Sequence, residues 1–251
     1  MARYGAAAFA HLQVASSFSL QYGTATPAAL AQYAAEFGHD IVGLTDRNGV
    51  YGAVRWVQAC QRVGISPVLG VDLAIDLAVE AATGKSRVSK RRTPAHGGGW
   101  VDEQRPRVVF LARGARGWAS LCRLISAAHF DRGNPWLSWP AIQANSEGVV
   151  ALLGPDSQLG RHFTSHGHTG AQEIVRPWRE IFGSNLHIAI ANHYRTGRHP
   201  YSKTTAARML GWAVQEQIVP VLTNAVRYLR SEDARVADVL DAARQLVPLT
   251  S

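Results

Sequence analysis

Short apolar runs alternate with stretches of helical spacing along most of the chain. The runs at 9–14, 41–44, 67–69, 108–111, 149–153, 187–191 and 218–222 are rich in Val, Ile, Leu and Ala. Continuous apolar runs of this kind predict strands covered on both faces. Thr26 followed by Pro27 marks a helix start, with an N-cap hydroxyl and proline in the first turn. Leu30, Tyr33, Ala34 and Phe37 then recur at helical spacing, and Gly38 ends the pattern. Further stripes begin at Val50, Val54 and Val57 (ending before Gly64), and comprise Trp118, Leu121, Leu124, Ile125 and Ala128, then Ile174, Trp178 and Ile181, then Met209, Leu210, Ala213 and Val214. Ser231, with Glu232 and Asp233 behind it, predicts the cap and first turn of a last helix. Repeated β–α units point to a parallel α/β fold. About seven strands without a dinucleotide-type glycine fingerprint favour a barrel over an open sheet.

Composition narrows this picture. The 251 residues, 47% hydrophobic, are enough for one barrel domain spanning the chain. No apolar run of about 18 residues predicts a membrane span, and residues 1–10 lack the pattern of a signal peptide. Cys60 and Cys122 both fall in helical stripes and read as free thiols, which fits a reducing, cytoplasmic setting. Trp56, Trp118, Trp178 and Trp212 fall on the same stripes and read as core residues rather than base-stacking platforms. The net charge of +8 admits a polyanionic partner. Much of it lies in Lys85, Arg87, Lys90, Arg91, Arg92, Arg105 and Arg107. The stretch at about 82–106 breaks the β–α alternation with Thr93-Pro94 and Gly97-Gly98-Gly99, and reads as a basic, flexible surface insertion. Arg87, Lys90, Arg91 and Arg92 could meet a phosphate backbone there without reading sequence, or could be a solvated loop.

Three segments carry a resemblance: FAHLQVASSFSLQYG at 9–23, GLTDRNGVYGAVRWVQACQRVGISPVLGVDL at 43–73, and ARGARGWASLCRLISAAHF at 112–130. A fourth, VPVLTNAVRYLRSEDARVADVLDAARQLVPL, spans 219–249. Together and in order, they resemble the polymerase and histidinol phosphatase (PHP) domain at the front of bacterial DNA polymerase III alpha subunits, in wording nearest the error-prone actinobacterial type. The match is loose over about 156–185 and the basic insertion. The resemblance implies a distorted barrel of seven β/α units, with its site at the C-terminal ends of the strands. Intact members bind up to three metal ions (Zn, Mn or Mg) and can hydrolyse phosphoesters, with a 3′–5′ exonuclease activity in some polymerases. In other members the ligands are lost and the domain is a structural support.

The ligand positions that the resemblance implies are largely altered here. A multinuclear phosphoesterase site needs imidazoles and carboxylates converging on cations that activate water. The paired histidines of the first motif, one residue apart so that both face one side of a strand, are replaced by Gln13 and Ala15. His11 precedes them on the same face, at a position that is not usually a ligand. The Thr-Asp-His motif reads Thr45-Asp46-Arg47, and arginine cannot ligate a metal. Asp72 stands where a glutamate is usual, Arg107 where a histidine often opens a strand, and Pro155, within a residue of register, where a cysteine or histidine follows one. The final Asp-x-His reads Ala225-Val226-Arg227. Only Asp46 and Asp72 remain as hard ligands, so no bound metal and no hydrolase activity is expected.

The resemblance implies that Arg47, Arg107 and Arg227 converge on Asp46 and Asp72. They then act either as a salt-bridge cluster in place of the metals or as an anion pocket that holds a phosphate. Two further constellations stand out. His162, His166 and His168 cluster beside Gly167 and Gly170, either as a metal-capable group or, more plainly, as a solvated loop. His193, Arg195, Arg198 and His199 follow a predicted strand on the functional rim, either as a substrate or DNA contact or, more plainly, as a polar rim loop.

The leading expectation is a non-catalytic module of the error-prone polymerase type. It would support a polymerase body or replication and translesion partners in DNA replication or repair synthesis. The alternatives are a divergent metal-dependent phosphoesterase or 3′–5′ exonuclease using Asp46, Asp72 and histidines outside the family's ligand positions, and a basic nucleic-acid-binding module. The chain ends at Ser251 with no assignable polymerase carboxylate triad, so alone it is not expected to synthesise DNA.

Overall fold

A computed structural model of the protein describes residues 9–76, 105–130, 135–245 and 248–249. Arg87, Lys90, Arg91, Arg92 and most of the expected basic insertion lie outside these residues. Helix α1 (Pro27–Glu36) starts as the sequence predicts: Thr26 Oγ1 accepts a hydrogen bond from the Ala29 amide at 3.2 Å. Strand β1 (Ile41–Arg47) leads to helix α2 (Ala53–Val63), which closes on Gly64 at φ 75°, a left-handed conformation that glycine adopts without strain. Strands β2 (Ser66–Ala74) and β3 (Arg107–Ala112) precede helices α3 (Gly114–Ala128) and α4 (Trp139–Ala144). The remaining elements are β4 (Val149–Leu153), α5 (Gln158–Ser165), α6 (Ala171–Phe182), β5 (Leu186–Ile190), α7 (Lys203–Gln215), β6 (Pro220–Leu222) and α8 (Ala234–Gln245).

The six strands form one curled sheet in chain order. The sheet is mixed, not wholly parallel as the β–α alternation suggested. β3 runs antiparallel to both β2 and β4, while β1–β2, β4–β5 and β5–β6 are parallel pairs. The reversal has a consequence for the site. Arg107, at the start of β3, pairs with Ala74 at the C-terminal end of β2. It therefore reaches the same rim as residues that end the parallel strands.

The first predicted strand, 9–14, is not a regular strand. It nonetheless fills the gap in the sheet. Gly43 and Thr45 of β1 donate to the carbonyls of His11 and Val14 at 2.7 and 2.8 Å. On its other side, Ala15 and Val226 donate to Val226 and Gln13 carbonyls, each at 2.9 Å. The segment after β6 thus meets the N-terminal segment and joins the sheet's two edges.

Alternation within the strands separates two cores. Val108 and Phe110 face the helical layer, where they pack with Leu121, Leu124, Trp178 and Phe182. Val109 and Leu111 face the barrel interior, with Leu152 and Ala189. Phe110 is fully buried, and truncating such a side chain to alanine removes about 3–5 kcal/mol. Trp56, Trp178 and Trp212 are buried, as their stripes predict, and Trp118 packs half-buried against the main core. Cys60 and Cys122 are free, and burial pushes the Cys60 thiol up to about 11. Helices α4 and α5 were not expected. Both start at serines whose hydroxyls accept amide hydrogen bonds, Ser138 from Ala141 and Ser157 from Gly160. The last helix also differs. Residues 231–233 form a 3₁₀ turn, and Asp233 accepts from the Arg230 amide at 3.1 Å.

Candidate functional site

The rim formed by β1, β2 and the start of β3 gathers four of the candidate positions: Asp46, Arg47, Asp72 and Arg107. Asp46 and Arg47 close β1, and Arg47 lies opposite Asp72 of β2. The two carboxylates are used differently. Asp46 is 1% exposed and accepts hydrogen bonds from the Ser16 amide (2.6 Å), the Ser16 hydroxyl (2.9 and 3.0 Å) and the Ser19 hydroxyl (2.7 Å). Burial raises its pKa, and the Ser19 and Ser16 hydrogen bonds counter that rise. Ser19 Oγ in turn accepts from the Arg47 amide at 2.9 Å. Asp46 thus anchors the 16–19 turn.

Asp72 is shared by two arginines. Arg107 Nε donates to its Oδ1 at 3.1 Å, and Arg107 Nη2 donates to the Asp72 carbonyl at 2.7 Å and to Asn48 Oδ1 at 2.9 Å. Arg47 Nε lies 3.6 Å from Asp72 Oδ2. Asn48 adopts φ 62°, which lets its amide donate to the Asp72 carbonyl at 2.9 Å. The Arg47, Arg107 and Asp72 side chains keep only 14%, 13% and 10% of their surface.

Arg227 departs from the expected convergence on Asp46 and Asp72. Its guanidinium makes a two-point fork with Asp241 of α8, Nη1 to Oδ2 at 2.8 Å and Nη2 to Oδ1 at 2.7 Å. Arg244 of the same helix also donates to Asp241 Oδ1, and its Nε donates to the Gln21 carbonyl at 3.2 Å. What Arg227 shares with Arg47 is Tyr22. The guanidinium of Arg47 sits 3.5 Å from the Tyr22 ring centroid, that of Arg227 4.0 Å and that of Arg244 5.5 Å. Flat cations over an aromatic face are favourable, more so when desolvated. Burial raises the Tyr22 phenol's pKa, opposed by Arg47 and Arg227 and aided by Asp156 and Asp72.

A second tyrosine completes the rim. Tyr201 donates from its hydroxyl to Asp156 Oδ2 at 2.7 Å, and burial with that neighbouring carboxylate pushes its pKa well up. The Asp156 carbonyl accepts from the Arg107 amide at 3.0 Å. His193 stacks on Tyr201 at 4.4 Å and places Nε2 2.7 Å from the Asn224 carbonyl. His199 Nδ1 accepts from the Tyr201 amide at 3.1 Å, and burial, then Arg195, lower its pKa.

The remaining positions lie in the N-terminal segment and in the turns that follow β4 and β6. Gln13 Oε1 is buried, and a Cβ on Gly154 would come 3.8 Å from it. Ala15 and Pro155 are buried, as is Ala225, which takes φ 47°. His11 stacks edge-on between Phe9 and His39, at 4.6 and 5.1 Å, away from the rim carboxylates. Burial, then His39, lower its pKa. Sequence reasoning missed Ser16, Ser19, Tyr22, Asp156, Tyr201, Asp241 and Arg244. Asp241 and Arg244 carry the one visible signal, opposite charges three apart on a predicted helix face.

These residues do not fit a multinuclear metal centre. No group of three or more His, Cys, Asp or Glu side chains that could hold a metal ion occurs among the described residues. Asp46 already accepts three hydroxyl or amide donors, and Asp72 is bracketed by guanidinium groups.

The model of the PHP domain matches residues 11–193. The chain belongs to the PHP domain family. Among curated relatives, DNA polymerase III subunit alpha of Caulobacter vibrioides is 24% identical over 88% of this chain and 18% of the relative. The error-prone DNA polymerase of Mycobacterium tuberculosis is 26% identical over 94% and 20%, and that of Anaeromyxobacter 28% over 94% and 18%. The chain therefore spans about a fifth of the length of the relatives it matches. Of solved structures, an amidohydrolase from Chromobacterium violaceum, with bound sulfate and no metal, aligns with TM-score 0.56 at 13% identity over 89% of both chains. A two-domain Bacteroides vulgatus protein containing a predicted PHP-like metal-dependent phosphoesterase aligns with TM-score 0.51 at 10% identity, over 88% of this chain and 52% of that one. Both show the shared barrel-type fold. No helix among the described residues is long and apolar enough to cross a membrane.

Proposed function

We propose that this PHP domain is non-catalytic and serves as a structural support for a polymerase body of the DNA polymerase III alpha type, in replication or repair synthesis. The reading rests on one observation above others: Asp72 is neutralised by Arg47 and Arg107 rather than left open to a metal. A guanidinium beside a carboxylate competes directly with a cation for the same oxygens. Fixed cations therefore take the charge-balancing role that metals have in intact members, and no water-activating centre forms. The free thiols of Cys60 and Cys122 suit a reducing, cytoplasmic setting.

The test uses the full chain. The purified protein is equilibrated with Zn²⁺ or Mn²⁺, desalted and analysed for metal, and assayed with bis-p-nitrophenyl phosphate and a 3′-labelled oligonucleotide. The expected outcome is substoichiometric metal and no turnover above the Asp72→Ala variant. Stoichiometric metal with turnover lost in Asp46→Ala and Asp72→Ala would instead establish a divergent phosphoesterase. Co-purification with a polymerase body tests the supporting role, and its absence in the source cell's extract would overturn that part.

A further inference from the structure

The fold brings the histidine cluster that follows α5 and the arginine of the 197–198 loop to a single cavity. The cavity, about 400 Å³, lies between the C-terminal end of α5, the turn after it, the 197–198 loop and the first turns of α7. His166, His168, Arg198 and Arg208 line it, with the hydroxyls of Thr164 and Thr204. Among the described residues no carboxylate lines it. We propose that this cavity is a binding site for a phosphate group.

The walls are fixed by contacts of their own. His166 stacks on His162 at 4.9 Å with the rings 16° apart, and His162 Nε2 lies 2.6 Å from the Thr169 carbonyl, tying down the turn between them. His168 sets its ring edge-on to the fully buried Phe163 at 5.5 Å. On the opposite wall, the Ser202 amide donates to the His199 carbonyl at 3.0 Å, and the Thr205 hydroxyl donates to the same carbonyl at 2.9 Å. The loop that carries Arg198 is thereby held against the start of α7. Arg208 points from the next turn of α7, where its Nη1 makes one long contact of 3.5 Å to the Phe163 carbonyl. No carboxylate pairs with Arg198 or Arg208 among the described residues, in contrast to Arg47, Arg107 and Arg227.

The chemistry selects the ligand class. Two guanidinium groups keep their charge at all physiological pH and present donors in a fork that matches phosphate oxygens. Hydroxyls and imidazoles add further donors, and the N-terminal end of the 13-residue α7 adds a partial positive charge. A cavity of this volume admits a phosphate with an attached sugar, so the source is either a free phosphate compound or the backbone of single-stranded nucleic acid. The proposal shares no residue with the arginine–Asp72 network, so it stands or falls independently of the barrel's metal chemistry.

The experiment uses the full chain at low salt with two probes: thymidine monophosphate, followed by calorimetry, and a fluorescent twelve-nucleotide oligothymidylate, followed by anisotropy. The variants are Arg198→Ala/Arg208→Ala and, as a control with similar charge loss elsewhere, Arg55→Ala/Arg62→Ala. Thermal melting checks that each is folded. Loss of two charge-assisted contacts is expected to weaken binding at least tenfold in the first variant, against less than threefold in the control. Weakening of both probes assigns the site to phosphate compounds in general, and weakening of the oligonucleotide alone assigns it to the nucleic-acid backbone. Absence of binding by wild type, or equal losses in the two variants, would overturn the proposal.

Discussion

Replacing Asp72 with alanine isolates what the rim network contributes. In the wild type its carboxylate lies 3.1 Å from Arg107 Nε and 3.6 Å from Arg47 Nε, with all three side chains between 10% and 14% exposed. Removing it leaves two nearly buried guanidinium groups facing each other. Breaking such a buried pair typically costs about 3–5 kcal/mol. The Arg107 contacts to Asn48 and to the Asp72 backbone survive the substitution, which places the expected loss at the lower end, about 3 kcal/mol. For a chain of this size that corresponds to a fall in Tm of about 6–12 °C. Urea denaturation followed by tryptophan fluorescence gives the free energy directly. The double variant Asp72→Leu/Arg107→Met, which removes the carboxylate together with one cation, should be more stable than Asp72→Ala alone. The decisive control is metal. If the network acts without metal, the loss is the same in EDTA and in Zn²⁺. A loss below about 1 kcal/mol, or one that appears only when metal is supplied, would refute the reasoning.

Three further outcomes follow from the same geometry. Arg227→Lys keeps the charge but loses both the fork to Asp241 and the flat stack on Tyr22. It should cost about 1–2 kcal/mol in urea denaturation, discounted because the pair is partly exposed, and a neutral result would count against the stack. Burial would raise the Asp241 pKa, but hydrogen bonds from Arg227 and then Arg244 hold it below the ordinary carboxylate range. The stability that this carboxylate adds is therefore present above its unfolded value of about 3.9 and drains away as pH falls through the folded one. Asp241→Asn should flatten the acid limb of a stability–pH curve below about pH 4, and an unchanged limb would contradict the assignment. Burial raises both Tyr22 and Tyr201, the latter with Asp156 beside it. In a spectrophotometric titration these two phenols should ionise only above the range of ordinary tyrosines, near pH 10, and Tyr201→Phe should remove one late-titrating group. Early ionisation of all seven tyrosines in the folded protein would show that the rim is open to solvent.

The strand and helix positions were legible because burial imposes its period on the sequence. β4 (149–153) matches its apolar run residue for residue, and Thr26-Pro27 forms the cap that the two residue types dictate. Strand direction was not legible. β3 is as apolar as its neighbours, and an antiparallel strand buried on both faces carries the same pattern as a parallel one. The seventh strand was half legible. Residues 9–14 have the apolar composition, but their pairing depends on hydrogen bonds to β1 and to residue 226, far away in sequence.

The site shows the same division more sharply. A resemblance can identify which ligand positions have changed, and it places Arg47, Arg107 and Asp72 on one rim because their strands are fixed by the fold. It cannot identify what replaces a lost partner when the replacement comes from outside the motif. Arg227, expected at a ligand position from the resemblance, has its carboxylate, Asp241, on a helix 14 residues later and its stacking surface, Tyr22, in a loop 205 residues earlier. A buried arginine must find an acceptor, so the need for a partner was predictable while its identity was not. Tyr22 meets that need from the opposite end of the chain. With Arg47 on one strand, Arg244 on α8 and Arg227 bound to α8 through Asp241, it ties the first and last segments of the domain across the barrel mouth. Metal ions bridge side chains from many strands because one cation can accept several ligands. A tyrosine ring flanked by guanidinium groups achieves a comparable junction from residues whose charges are covalently held.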